Sequence, residues 1–180
     1  MTIEVEMLSA GAETVIVARI AALINEVYAV AEEGIWLQDA VRTSTSEIAD
    51  FIRAGEIAVS KLDGQIVGVI RIQRLPGGEG EFGMLAASPQ HRGLGIGREL
   101  VRFAEKACAD AGAAVMQLEL LVPRAWKHPS KESLAAWYIR LGYRIVRTSS
   151  LDESYPQLAP KLATPCNFVI YQKPLTLLGG

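Results

Sequence analysis

The chain has 180 residues, half of them apolar, which is enough for one domain with a buried core. Eighteen basic against twenty acidic residues leave a formal charge of −2, which argues against a nucleic-acid footprint and directs attention to small-molecule chemistry. The start MTIEVEMLSAGAE lacks a basic-then-apolar leader, and the run VIVARIAALINEVYAVAEE is interrupted by Arg19, Asn25 and Glu26. The expectation is a cytoplasmic chain, neither secreted nor membrane-spanning, in which Cys108 and Cys166 are reduced core thiols.

In chain order, IEVEML alternates as a first strand, and Ile16, Ile20, Leu23, Ile24 and Val27 then recur at helical spacing. EEGIWLQDAVR reads as a loop, and the Ser and Thr caps of TSTSEIADFIRAGE predict a short helix over Glu47 to Ala54. EIAVSKLDGQIVGVIRIQRL predicts two strands joined at Asp63-Gly64, and LPGGEG turns the chain into the strand EFGMLAA. From Gly93 onward Ile96, Leu100, Phe103, Ala104, Ala107 and Ala111 share a helix face that stops near Gly112. AAVMQLELLV is a strand; Leu134, Trp137, Tyr138 and Leu141 form a short helix ending at Gly142; YRIVRT and NFVIYQKPL close the chain as strands. No repeat or linker interrupts residues 1–180, so the expectation is one domain of α/β class: a mixed α+β sheet flanked by helices, in the order β-α-α-β-β-β-α-β-α-β-β.

The stretch SPQHRGLGIGREL carries three glycines at alternate positions before a helix. A helix N-terminus offers unpaired N–H groups and a positive dipole end, and Gly93, Gly95 and Gly97 remove Cβ atoms that would keep an anion away or bar left-handed dihedrals. Arg92 adds a charge-assisted donor. A dinucleotide fingerprint fits poorly, because Glu99 stands where its last glycine belongs, and a phosphate loop of the G-K-[ST] kind is absent. A glycine-rich turn without a ligand is the remaining alternative.

QHRGLGIG resembles the Q/R-x-x-G-x-G/A acyl-coenzyme A signature of the GNAT superfamily, the Gcn5-related N-acetyltransferases, with Gln90, Gly93 and Gly95 on its marked positions. AAWYIRLGY is similar to the superfamily's second landmark, a helix ending Y-x-x-L-G-[FY]. The resemblance implies the acyl-CoA N-acyltransferase fold, a central and mostly antiparallel sheet splayed at the cofactor. It also implies acetyl-CoA bound by Gln90, Arg92, Gly93, Leu94, Gly95 and Gly97, with the amides of Leu85 and Ala87 pairing with the pantetheine arm. Arg98, Arg124, Lys127 and Lys131 are the cations available for its 3′-phosphate. The family often has Asn where this chain has Lys131.

Acetylating an amine needs two proton transfers: the nitrogen must lose one and the leaving thiolate must gain one. By resemblance Tyr138 is the general acid; a core tyrosine bonded to a carbonyl is the alternative. Glu81 is the candidate base, placed by strict alternation on one face with Gly83, Leu85 and Ala87. Glu119, an acid among leucines, is the second candidate, and water the third. Tyr28, Trp36 and Glu119 are the expected acceptor contacts, with Asp152, Glu153 and Tyr155 on the far connection. His91 and His128 have no companions at ligand spacing, so no metal is expected. The partner expected is a small-molecule amine, with no nucleic acid, no membrane, and a homodimer as the one assembly allowed for. Against an N-acetyltransferase stand two other readings, a non-catalytic acyl-CoA sensing module and a peptide or protein N-terminal acetyltransferase.

Overall fold

A computed structural model describes residues 2–176. The strands are β1 (Glu4–Met7), β2 (Ile57–Leu62), β3 (Gln65–Arg74), β4 (Gly80–Ala87), β5 (Val115–Pro123), β6 (Arg144–Ser150) and β7 (Cys166–Pro174). The helices are α1 (Thr14–Ala31), α2 (Thr45–Arg53), α3 (Ile96–Asp110), α4 (Pro129–Arg140) and the single turn α5 (Leu151–Ser154). One seven-stranded sheet runs in the order β1-β2-β3-β4-β5-β7-β6, and every neighbouring pair is antiparallel except β4 with β5. The expected element order holds, with α5 added. The second helix starts earlier than its apolar spacing implied, because Ser44 accepts the Glu47 N–H and caps it there. The third starts later, at Ile96, because Gly93 and Gly95 sit at φ 82° and 79°, outside the right-handed helix.

The two sheet faces bury different helices. On one, Phe82, Met116, Leu118 and Leu120 pack against α3 and the aromatic side of α4; on the other, Val59, Val69, Met84 and Ala86 pack against Ile20, Leu23 and Ile24 of α1 and Ile48 and Ile52 of α2. Each fully buried Ile or Leu contributes about 1.5–3 kcal/mol. By length and composition α1 would cross a bilayer, yet here its Ile20–Ile24 stripe is committed to the sheet. At Gly68 on β3 a Cβ would lie 2.7 Å from the Ile96 side chain, so the missing side chain is what lets the start of α3 settle against the sheet.

Strand β4 is not regular. Its pairing with β3 steps from Val69↔Ala86 to Arg71↔Gly83, one more residue on β4 than on β3, and Met84 takes φ 50°. This bulge reverses the alternation. Glu81 therefore shares the α1–α2 face with Met84 and Ala86, while Leu85 and Ala87 turn toward α3, which corrects the expectation of a single face.

The loop between α1 and α2 is fastened at several points. Trp36 bridges to Leu162, the Leu37 N–H donates to the Lys161 carbonyl at 2.9 Å, and the Ala163 N–H donates to Ile35 at 2.8 Å. Lys131 on α4 donates to Glu32 at 2.6 Å with both side chains buried, and the Trp36 indole N–H donates to the same carboxylate at 3.0 Å. Lys131 is thus a buried structural cation, unavailable to a phosphate, which corrects its listing among surface charges. Removing one member of such a pair leaves an uncompensated buried charge at about 3–5 kcal/mol. Lys131→Met should therefore lower the midpoint of thermal unfolding by about 10 °C, and adding Glu32→Gln, which keeps an acceptor for Trp36, should recover much of that loss in the same melt.

Candidate active site

The site begins where β4 and β5 separate. They pair only at Gly80↔Met116 and Glu81↔Gln117, and beyond those positions the facing edges carry no ladder. The Ser88 N–H donates to Val67 of β3 at 2.8 Å, so alternation turns the amides of Ala87 and Leu85 to the open side. Backbone groups on such an edge demand a partner. The Leu85 amide meets the hydroxyl of Tyr28, which reaches it from α1.

At the end of β4 the chain passes through a short 3-10 turn, Pro89–His91, that contains Gln90, and then the two left-handed glycines. A Cβ at Gly93 or Gly95 would meet nothing within 4 Å, so these glycines are required by dihedral angle rather than by crowding. Arg92 and Leu94 are exposed around them, and the free N–H groups of the α3 start point into the same space. Gly97 differs: it lies inside α3, where a Cβ would touch the Trp137 indole at 3.4 Å, so it accommodates α4 rather than opening the loop. Of the cations expected for a 3′-phosphate, Arg98 flanks a surface hollow of about 260 Å³ with Trp137, Arg140 and Leu141. Arg124 is committed to Asn167 at 2.7 Å and Asp152 at 3.7 Å, and Lys127 is exposed. His91 is held by Ser88 at 3.1 Å, His128 meets the Glu33 carbonyl at 2.9 Å, and no metal-holding cluster occurs among the described residues.

Tyr138 lies on α4 with its ring among Phe82, Trp137, Tyr143 and Tyr171, at centroid separations of 5.2 to 6.3 Å. Its hydroxyl makes no hydrogen bond among the described residues, and the buried hydroxyl of Tyr143 beside it likewise lacks a partner. Burial, then the neighbouring Tyr28 and Tyr171 hydroxyls, hold its pKa above the ordinary phenol value, so it carries its proton throughout the physiological range. Burial likewise pushes Tyr28 up to about 12, against the Arg42 guanidinium, which pulls it down.

The carboxylates sit on the α1–α2 face. Gln172 donates to Gln117 at 2.9 Å and Gln117 donates to Glu81 at 2.8 Å, a relay across three strands that fixes the Glu81 carboxylate. Burial raises its pKa above the usual carboxylate value; the Gln117 bond opposes that, Glu119 adds to it, and Arg71 and Arg147 oppose it. Glu119, two residues along β5, accepts a 2.9 Å hydrogen bond from the Tyr155 hydroxyl. The structure thus brings Tyr28, Glu81, Glu119 and Tyr155 together beside the strand opening. Trp36 has its N–H engaged by Glu32 and packs in the cluster that also holds Leu121, Tyr155, Leu162 and Phe168. Gln117, Arg42 and Arg147 escaped sequence reasoning. Pairing register places Gln117 and Arg147, since Gln117 looks like any polar residue of an alternating strand, while Arg42 is placed by the tertiary clamp between Asn25 and Thr43.

Comparison with known proteins adds a family. The pattern described as "Acetyltransferase (GNAT) domain" matches residues 53–145, just over half of the chain. No curated protein sequence matches it. Among solved structures, PaiA N-acetyltransferase from Thermoplasma acidophilum in complex with coenzyme A superimposes with a TM-score of 0.70 at 17% identity, over 97% of this chain and 99% of that one. An N-acetyltransferase from Staphylococcus aureus Mu50 gives 0.70 at 13% identity, over 98% and 100%. N-acetylglutamate synthase from Neisseria gonorrhoeae, complexed with coenzyme A and N-acetyl-glutamate, gives 0.66 at 20% identity; the match covers 98% of this chain but 36% of that enzyme. At these identities the likeness shows the fold, and the domain pattern carries the assignment: the chain belongs to the GNAT acetyltransferase family.

Proposed function

We propose that the chain is a single-domain, cytoplasmic N-acetyltransferase that moves the acetyl group of acetyl-CoA to a primary amine of a small molecule by direct attack. The observation that carries this reading is the two-residue contact between β4 and β5, which opens a backbone-lined slot between the left-handed glycines and Tyr138. Acyl-coenzyme A suits that slot chemically. The open amides of Leu85 and Ala87 match an arm that pairs like a strand, and Gly93 and Gly95 with the α3 amides match a diphosphate. Coenzyme A in the Thermoplasma and Neisseria structures supports the same reading.

The cofactor supplies an acetyl group activated as a thioester. The amine lone pair forms the new C–N bond as the C–S bond breaks; the nitrogen's surplus proton passes to Glu81, to Glu119 or to water, and the departing sulfur takes one from Tyr138. Tyr138 suits the acid role because its hydroxyl is protonated and without a hydrogen-bond partner among the described residues. Glu81 suits the base role because burial raises its pKa above the usual carboxylate value, which makes it a stronger base. The roof formed by the Trp36–Leu162 bridge favours a small acceptor over an extended peptide.

Free coenzyme A release over a mixed panel of amines, amino acids, polyamines and peptides tests turnover and acceptor size together; a chain that binds acetyl-CoA yet releases no thiol with any of them is a sensing module instead. Tyr138→Phe should lower kcat by about 10²- to 10⁴-fold with little change in coenzyme A affinity. Because a base works only when deprotonated, the rate should rise with pH through a midpoint above the ordinary carboxylate range. Glu81→Gln should abolish that limb in a pH–rate profile, and a limb that survives assigns the proton to Glu119 or water. Gly95→Val, which forces a branched side chain to φ 79°, should weaken coenzyme A binding about tenfold or more by calorimetry.

A further inference from the structure

The acetyl-transfer reading leaves the acceptor's chemistry open, and the charges around Glu81 and Glu119 narrow it. Two arginines on this side of the molecule are committed. Arg71 donates to Glu56 at 2.7 Å with its guanidinium 3.5 Å from the Phe51 ring centroid, and Arg144 donates to the carbonyls of Ile139 and Tyr143. Arg42 and Arg147 have no carboxylate partner among the described residues.

Both residues are exposed, and the backbone that carries each is fixed by the fold. The backbone beside Arg42 is clamped onto α1: the Asn25 amide donates to the Thr43 carbonyl at 3.0 Å, and the Thr43 N–H donates back to the Asn25 oxygen at 3.0 Å. Asn25 and Tyr28 are one turn apart, so the clamp puts the Arg42 guanidinium over the Tyr28 ring, 5.2 Å from its centroid. Arg147 is aimed by a bulge. Pairing of β6 with β7 steps from Ile145↔Tyr171 to Arg147↔Ile170, which leaves Val146 as the extra residue. In a regular ladder Val146 would pair with Ile170 and Arg147 with Val169, on the α3–α4 face. With the bulge, Arg147 shares a cross-strand row with Ile170 and Glu119, on the same face as the two acids. Arg147 helps to lower the Glu81 pKa, and Arg42 lowers that of the Tyr155 hydroxyl, which Glu119 and Glu81 raise.

We propose that the acceptor is a small amino acid or close analogue bearing both an ammonium and a carboxylate group, the ammonium end held at Glu81 and Glu119 and the carboxylate end at Arg42 and Arg147. Two acids facing two unpaired guanidiniums complement a zwitterion. A monoamine leaves both arginines unanswered, and a polyamine brings further positive charge against them. Guanidinium groups also match carboxylate geometry better than ammonium groups do.

The test rests on the acetyl-transfer reading and separates from it. Coenzyme A release is followed for the twenty free amino acids, each beside its carboxamide and its decarboxylated amine, with spermidine as a polyamine probe. At least one amino acid should be turned over with a kcat/KM about 100-fold or more above its carboxamide and amine. Arg42→Met and Arg147→Met should each shrink that preference about tenfold, through KM rather than kcat, with the thermal midpoint and coenzyme A affinity as checks on folding. Arg42→Lys should restore part of the preference. Turnover of the carboxylate-free amines as well as the amino acids, or a preference that both Met variants retain, overturns the zwitterion while leaving acetyl transfer intact. Thiol release with no amine at all overturns both.

Discussion

Everything at the site follows from two neighbouring strands that stop pairing after two residues. A parallel pair in the middle of a sheet ordinarily runs on for the length of both strands, because each unmade ladder bond leaves buried polar groups without partners. Here β4 is secured to β3 and β5 to β7, so each strand has one complete ladder and tolerates an open edge on the other side. The opening is thereby stable and polar at once. One end of it lies by the left-handed glycines at the start of α3, and the Glu81–Gln117 pair closes the other.

Much of the frame was legible in the sequence because its signals are local. Asp63 and Gly64 take left-handed dihedrals and close the β2–β3 hairpin as their identities imply, and the Ser44 cap, the α3 stripe and the glycines before α3 are written in adjacent residues. The glycine loop was open to physical argument, whereas the role expected of Tyr138 came from a family likeness alone. What escaped depends on register. Nothing in EFGMLAA announces that Met84 will bulge, nor in YRIVRT that Val146 will, yet each inserted residue decides which face the following side chains meet. Lys131 escaped for a related reason: a lysine on a helix near polar residues reads as solvated until its tertiary partner, Glu32, is known.

The two bulges have a common effect. One occurs in a strand that borders the opening and the other in the edge strand beyond β7, and each changes the membership of the α1–α2 face: in β4 by separating Glu81 from Leu85 and Ala87, in β6 by bringing Arg147 round to the side of Glu119. A regular β6 would have put Arg147 opposite Val169, on the side of the aromatic core around Tyr138. Local irregularity is how a sheet concentrates its polar chemistry on one side while the other stays packed.

The segment between α1 and α2 is pinned by Glu32 to α4 at its beginning, by Trp36 and its neighbours to the β6–β7 connection in its middle, and by Thr43 to Asn25 at its end. Its conformational freedom has therefore been surrendered during folding, before any guest arrives. Capture of a small molecule beneath it need not freeze a mobile flap, and that saving in entropy is available for discrimination between chemically similar guests.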